Sequence, residues 1–309
     1  MLTTLALFML GGIVLLTLWR TAIDISFDAL VAALGSLRLT TLISALAATL
    51  LSYGVLVGYD FLALRYEGIR LPLLTILFAS FCGFAIGNAA GLGTFSGGAV
   101  RYRLYSAAGL SPTQIARLVG FIFFAFGVGA FTITSLFIEL RAQEIGAMLA
   151  APPAILKMIT GACLALVLAS LAYWLIRGGP IHWGALEIKA PSANLVFAQL
   201  ALVTADILAA SAVLWVLVPS PVDFLTFTAL FASALILGVL SHIPGGLGVF
   251  EVAILYALGK STPASTVAAA LLAYRAIYFL LPLLLSILIL IGFEVGRSLT
   301  VAGSHQQGC

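Results

Sequence analysis

The chain has 309 residues, 63% of them hydrophobic and 8% charged, with a formal net charge of +3. A water-soluble domain carries charge on about a quarter of its residues, and 14 basic plus 11 acidic side chains cannot cover a surface of this size. The mean hydropathy of +1.22 therefore indicates a polytopic membrane protein and excludes the soluble classes. Its few, scattered Lys and Arg exclude both a nucleic-acid footprint and a polybasic lipid-binding strip.

A spanning helix needs about 20 mostly apolar residues. The first such run, Met1–Trp19, has no basic segment before it and no small-residue cleavage site after it, so it reads as a retained span. Charge-free runs follow at Leu39–Tyr59, Leu71–Val100, Leu118–Ile138 and Met158–Ile176. Ala190–Ala205 and Ile207–Val222 flank the single acid Asp206. Phe224–Phe250 comes next, and Ser261–Phe293 is interrupted by Arg275 alone. These runs predict an all-α polytopic membrane protein of about eight transmembrane helices, a single membrane domain over 1–309 with no soluble domain. A β-barrel is excluded because its strands would alternate apolar and polar residues. Lys and Arg divide almost evenly between alternate loops, so the positive-inside rule assigns no orientation. Cys82, Cys163 and Cys309 form neither a disulfide framework nor a metal pattern.

The chain repeats itself once. Gly91-Leu92-Gly93-Thr94-Phe95 recurs as Gly246-Leu247-Gly248-Val249-Phe250, 155 residues further on. Tyr105 to Pro112 resembles Tyr256 to Pro263 once a four-residue gap is allowed. Two related halves, about 39–150 and 190–293, are the expectation, as in many transporters. Both copies are poor continuous helices, through Gly91, Gly93, Gly97 and Gly98 in the first and Pro244, Gly245, Gly246 and Gly248 in the second. Relative to Ala, Gly costs a helix about 1 kcal/mol and Pro about 3. The runs that hold them, Leu71–Val100 and Phe224–Phe250, exceed one span. Two re-entrant segments meeting near mid-membrane are therefore predicted in preference to two interfacial loops. Irregular backbone survives at that depth only where protein or a watery cavity satisfies it. Gly54 with Gly58, and Gly83, Gly87 and Gly91, add GxxxG faces for close helix approach.

Charged side chains inside spans are costly and usually face a partner or a cavity. Asp60 ends the second run; Arg101 and Arg103 follow the first glycine cluster, and Glu251 follows the second. Asp206 and Arg275 are the most deeply placed. Two readings of them stay open: a structural ion pair with each other, or a substrate or proton role. Converging segments would bring both signs into one cavity. Enzymatic signatures are missing: there is no HExxH, no GxSxG with a His partner and no Walker motif. His242 reads as a residue that caps the second break, His182 as interfacial and His305 as part of a polar tail.

Two strings carry a family resemblance: Ser96-Gly97-Gly98-Ala99-Val100-Arg101-Tyr102-Arg103-Leu104-Tyr105 with Gly109-Leu110-Ser111, and Ser241 through Glu251 (SHIPGGLGVFE). Both resemble the MprF family, lysylphosphatidylglycerol synthase/flippases, as do Tyr59-Asp60, the Asp206 helix ending at Pro219, and Tyr274-Arg275 through Pro282. The likeness runs from about residue 35 to 295 and covers only that family's N-terminal flippase domain, so synthase activity is not implied. The resemblance implies a flippase for lysyl- or alanyl-phosphatidylglycerol in the bacterial cytoplasmic (inner) membrane, contributing to resistance to cationic antimicrobial peptides. No cofactor or metal is expected. Partners are the phospholipid substrate and membrane lipids, with room for a separate aminoacyl-phosphatidylglycerol synthase and for a homodimer. Arg101 and Arg103 would hold the lipid phosphate, with Ser96 beside them; Asp60, Asp206 and Glu251 would receive ammonium groups, and Arg275 completes the predicted binding set. The rival readings are an ion- or proton-coupled solute transporter and an intramembrane lipid-modifying enzyme using Glu251 or His242. An Asp206 that is protonated when the site is empty and ionised when an ammonium headgroup arrives further predicts transport that responds to pH.

Overall fold

The computed structural model describes residues 27–306 except 91–92, 178–180, 184–185, 189–191, 220, 242 and 244–245. The expected first span Met1–Trp19, together with Gly91, Leu92, His242, Pro244 and Gly245, lies outside the described residues. The described chain is almost wholly helical. A short antiparallel hairpin, β1 (Ile181–Trp183) with β2 (Leu186–Ile188), is the exception among the described residues to the all-α expectation.

After a short α1 (Phe27–Gly35), a long helix α2 (Leu39–Tyr66) is followed by α3 (Leu73–Ala90), α4 (Gly93–Ala107) and a long α5 (Pro112–Leu140). Then come the small α6 (Ala142–Leu149) and the peripheral α7 (Pro153–Arg177). Beyond the β-hairpin, the order long, apolar, short, long occurs again. It consists of α8 (Ala193–Leu217), α9 (Phe224–Leu240), α10 (Val249–Leu258), and α11 (Ala264–Tyr274) running through a π-helical turn, Arg275–Leu280, into α12 (Leu281–Gln306). Among the described residues, five helices are long and apolar enough to cross a membrane: Leu39–Tyr66, Pro112–Leu140, Pro153–Tyr173, Ala193–Leu217 and Ala264–Val295. Leu73–Ala89, Phe224–Leu240 and Val249–Leu258 are shorter apolar helices.

Local chemistry sets the boundaries. Gly109, at φ +92°, ends α4 in a backbone conformation that side chains disfavour. Ser111 then opens α5 with a capping box: its hydroxyl accepts from the Gln114 N–H, and the Ser111 N–H donates to the Gln114 side-chain Oε1, with Pro112 at the first helical position. Ser192 and Asp223 cap α8 and α9 in the same way, each side chain accepting backbone N–H groups. At the second break Gly246 (φ +60°) and Gly248 (φ +86°) carry the irregular backbone expected there. At the first, Gly97 and Gly98 instead lie within α4. Their role is proximity: a Cβ on Gly97 would lie 2.5 Å from the Gly83 carbonyl oxygen, so the small faces of α3 and α4 let their backbones touch.

The π turn has a chemical cause. Pro282 has no N–H to give to the Tyr278 carbonyl four residues earlier. That carbonyl accepts instead from the Tyr53 hydroxyl of α2, at 3.2 Å. At the centre of the fold, α2 and α8 pack antiparallel. Gly58 meets Leu202, Tyr59 reaches Asp206, and at the other end Leu62, Arg65 and Tyr66 face Ser192, Asn194, Leu195 and Ala198. Helix α5 closes this layer, with Gly129 against Val203 and Tyr66 stacked on Phe121 at 4.6 Å.

Candidate functional site

Three polar clusters occupy the apolar interior. In the first, α2 supplies Asp60 and α4 supplies Arg101, both buried (0% and 4% exposed). The guanidinium donates from Nε to Oδ1 and from Nη2 to Oδ2 of Asp60, each at 2.8 Å. This two-pronged geometry is the strongest arrangement open to the pair. Tyr105, one turn after Arg101, donates its hydroxyl to Oδ1 at 2.8 Å. The guanidinium lies over the Phe84 ring, 4.4 Å from its centroid, and against Gly83, where a Cβ would come within 2.8 Å of Nη1. Sequence reasoning missed Tyr105, although its i+4 spacing from Arg101 puts the two on one helix face.

The second cluster sits at the other break. Arg275, the first residue of the π turn, donates from Nε to Oε1 of Glu251 at 2.7 Å, and its Cζ stands 4.5 Å from the Phe279 ring centroid. The other oxygen of Glu251 accepts the Gly248 N–H at 2.7 Å, so one carboxylate both caps α10 and neutralises Arg275. Both side chains of this pair are about one-fifth exposed. A π turn at a charged residue inside a span is a feature often found at functional sites.

The third cluster joins α2, α8 and the π turn. Asp206, near the middle of α8 and 5% exposed, accepts the Tyr59 hydroxyl on Oδ2 at 3.1 Å and the Ser52 hydroxyl on Oδ1 at 3.5 Å. Ser52 also shares a hydrogen bond with the Tyr278 hydroxyl at 2.9 Å. Tyr278 stacks on Tyr274, 5.2 Å between centroids. No Lys or Arg among the described residues lies at ion-pair distance from Asp206. The Asp206–Arg275 pair that the sequence left open is therefore not formed, because Glu251 already holds Arg275. Tyr53 donates its hydroxyl to the Tyr278 carbonyl beside this cluster.

The remaining expected residues divide. Arg103 pairs with Glu294 of α12 at a site where each side chain is 47% exposed, so it lies apart from the buried set. Ser96 lies near the start of α4, its buried hydroxyl without a hydrogen-bond partner among the described residues. No group of three His, Cys, Asp or Glu able to hold a metal ion occurs among the described residues. A cavity of about 330 Å³ lies where α2 ends and α8 begins, lined by Leu62, Arg65, Tyr66, Ser192, Asn194, Leu195 and Ala198. None of the residues predicted to bind substrate lines it.

No protein-family model matches the chain. The uncharacterized protein slr0712 of Synechocystis is 35% identical over 261 residues, spanning 83% of this chain and 80% of its own length. The inner membrane protein YbhN of Escherichia coli is 27% identical over 286 residues, 91% of this chain and 88% of its own. A phosphatidylglycerol lysyltransferase of Staphylococcus aureus is 28% identical over 294 residues, which is 92% of this chain but 33% of that longer protein.

Proposed function

The chain belongs to the same family as slr0712 of Synechocystis, and from that premise we propose that it is a flippase of the bacterial inner membrane for aminoacylated phosphatidylglycerol. The likeness to the staphylococcal lysyltransferase supports the choice of lipid, and the likeness to YbhN supports the location. In this reading eight spans form two inverted halves, about 39–150 and 190–293. The α3–α4 hairpin and the α9–α10 break are the re-entrant segments. The antiparallel crossing of α2 and α8, equivalent in the repeated order of elements, supports that inversion.

The observation that carries the proposal is the Asp60–Arg101 pair beside the first break, with its counterpart Glu251–Arg275 at the second. Each is an internal zwitterion held inside an apolar fold. The obstacle to flipping a lipid is its headgroup, because the acyl tails are already in hydrocarbon. A lysyl- or alanyl-phosphatidylglycerol headgroup brings a phosphate anion and one or two ammonium groups. Arg101 can exchange its carboxylate for the phosphate while Asp60 takes an ammonium, so ion pairs are swapped and no lone charge is created. Glu251 and Arg275 repeat the exchange on the other side, with Asp206 between them as a further acceptor for ammonium. Ser96 and Arg103 contact the phosphate on its way. The delivered lipid lowers the negative charge of the outer surface, which weakens attraction of cationic antimicrobial peptides.

The test is reconstitution of the full chain into phosphatidylcholine vesicles containing lysyl-phosphatidylglycerol, with leaflet exposure read by an amine reagent that does not cross the bilayer. Protein-dependent exchange is expected, faster for the lysyl lipid than for a neutral-headgroup analogue. Exchange no faster than in protein-free vesicles overturns the proposal.

A further inference from the structure

Asp206 is the exception among the buried charges. Asp60 and Glu251 each have an arginine, whereas among the described residues Asp206 has hydroxyls only: Tyr59 and Ser52 directly, and Tyr278 through Ser52. Every element packed around it gives the same result. Helix α2 brings Ser52, Tyr53 and Tyr59, with Asp60 turned toward Arg101. Helix α11 and the π turn bring Tyr274 and Tyr278, with Arg275 turned toward Glu251. The stretches of α5 and α9 within the core, Phe126–Phe137 and Phe224–Leu240, contain no titratable residue. A lone carboxylate in such surroundings is costly, and a bound proton removes that cost without any basic residue.

The structure also offers a way for a proton to arrive. The cavity between the end of α2 and the start of α8 reaches Ala198 on one wall and Leu62 on the other. From Ala198 to Asp206 is eight residues, about 12 Å along a helix. Two polar side chains span that interval. Tyr59, one turn from Leu62, donates to Asp206. Gln199 lies seven residues before Asp206 and so on the same helix face. It is 7% exposed, and neither its amide nitrogen nor its amide oxygen has a hydrogen-bond partner among the described residues. Leaving a buried amide unpaired costs about 1–3 kcal/mol, a cost that a transient water file from the cavity would remove. Arg65 at the cavity rim is exposed, so water screens its charge from an entering proton.

We propose that Asp206 is a proton-binding site, loaded from the cavity between α2 and α8 through Gln199 and Tyr59. The geometry stands whatever the cargo. Combined with the flippase reading, an arriving ammonium displaces the proton and couples headgroup entry to a proton gradient.

Infrared spectroscopy of the purified full chain in phosphatidylcholine bilayers tests the site without any transport assay. The wild type should show the carbonyl stretch of a buried protonated carboxyl, which disappears at alkaline pH. The band should be lost in Asp206→Asn, a variant that imitates the protonated form and therefore folds. It should shift in Tyr59→Phe, which removes a hydrogen bond to the group. In Gln199→Leu the band should persist while its hydrogen–deuterium exchange slows by an order of magnitude or more. A band unchanged in Asp206→Asn, a wild type without the band at any pH, or an Asp206→Asn chain that cannot fold overturns the proton site. A titrating band in a protein that moves no lipid would leave the proton site standing and remove the flippase reading alone.

Discussion

Asp60→Asn is the most informative single substitution, because it changes charge with almost no change of shape at a site that is fully buried. The new amide oxygen would still accept hydrogen bonds from Arg101 and Tyr105, so what is lost is the compensating charge. Arg101, 4% exposed, would then be an unpaired cation among Phe84, Gly83 and Gly97. Removing one partner of a buried pair costs about 3–5 kcal/mol, a large share of a typical total of about 5–15 kcal/mol. Replacing both, as Asp60→Leu with Arg101→Met, removes the buried charge altogether and should cost about 1 kcal/mol or less, or even stabilise. The non-additivity is the coupling energy and should exceed about 2 kcal/mol. Denaturant unfolding of the wild type, Asp60→Leu, Arg101→Met and the double variant in detergent micelles measures it. An Asp60→Asn protein within about 1 kcal/mol of wild type would refute the claim that this ion pair is desolvated and tightly coupled. The double variant also separates architecture from function: it should fold, yet move no lysyl lipid in the vesicle assay.

Gly97→Ala should cost about 1–3 kcal/mol by overpacking, because the new methyl would lie 2.5 Å from the Gly83 carbonyl; Gly98→Ala, whose methyl meets Val119 at 3.5 Å, should be near neutral in the same unfolding measurement. Glu294→Ala removes the exposed partner of Arg103 and should change stability by less than about 1 kcal/mol, the difference shrinking further in high salt. At Asp223 burial raises the carboxyl, but the hydrogen bonds from Thr226 and Leu225 and the nearby Arg141 outweigh it and hold the group below its ordinary 3.8. Its contribution is therefore present above the unfolded value and is lost as pH falls through the lower folded one. Asp223→Ala should cost about 1 kcal/mol of capping at neutral pH, a gap that narrows in melts recorded in strong acid.

Much of the fold was legible because the bilayer enforces length and apolarity, and the runs Leu39–Tyr59, Leu118–Ile138 and Met158–Ile176 each fall inside a single helix. Most of the buried charges were legible for the same reason, since an Asp or Arg within or at the end of such a run stands out at once; Arg103 was the exception, exposed beside Glu294. Their pairing was not. Pairing depends on which helices meet, and nothing local to Arg275 reports that Glu251 approaches it, or that Asp206 meets only hydroxyls. The π turn had a signal in Pro282 that goes unrecognised until the Tyr53 hydroxyl is seen on the freed Tyr278 carbonyl. Gly97 and Gly98 misled in the opposite direction. Glycine weakens a helix by propensity, yet packing against Gly83 outweighs that term, and the pair sits in regular helix.

The distribution of these charges bears on how a headgroup can cross. A single fixed charge on the path would trap a headgroup of opposite sign and repel one of like sign, and either effect stalls transport. An Arg–carboxylate pair does neither at a distance, because its field cancels beyond a few ångströms; it acts only when a phosphate or an ammonium comes close enough to compete for one partner. In the proposed flippase, two such pairs, one beside each break, would provide equivalent exchange points. Near the crossing of α2 and α8, Asp206 has no cation at ion-pair distance among the described residues. Under the proposed reading that asymmetry has a use. An aminoacylated lipid carrying one more ammonium than phosphate arrives with net positive charge, which the two neutral pairs cannot balance. Asp206 can, by releasing its proton as the extra ammonium enters. The pairs would then set which headgroups are admitted, and the lone carboxylate would set the direction in which a proton gradient drives them.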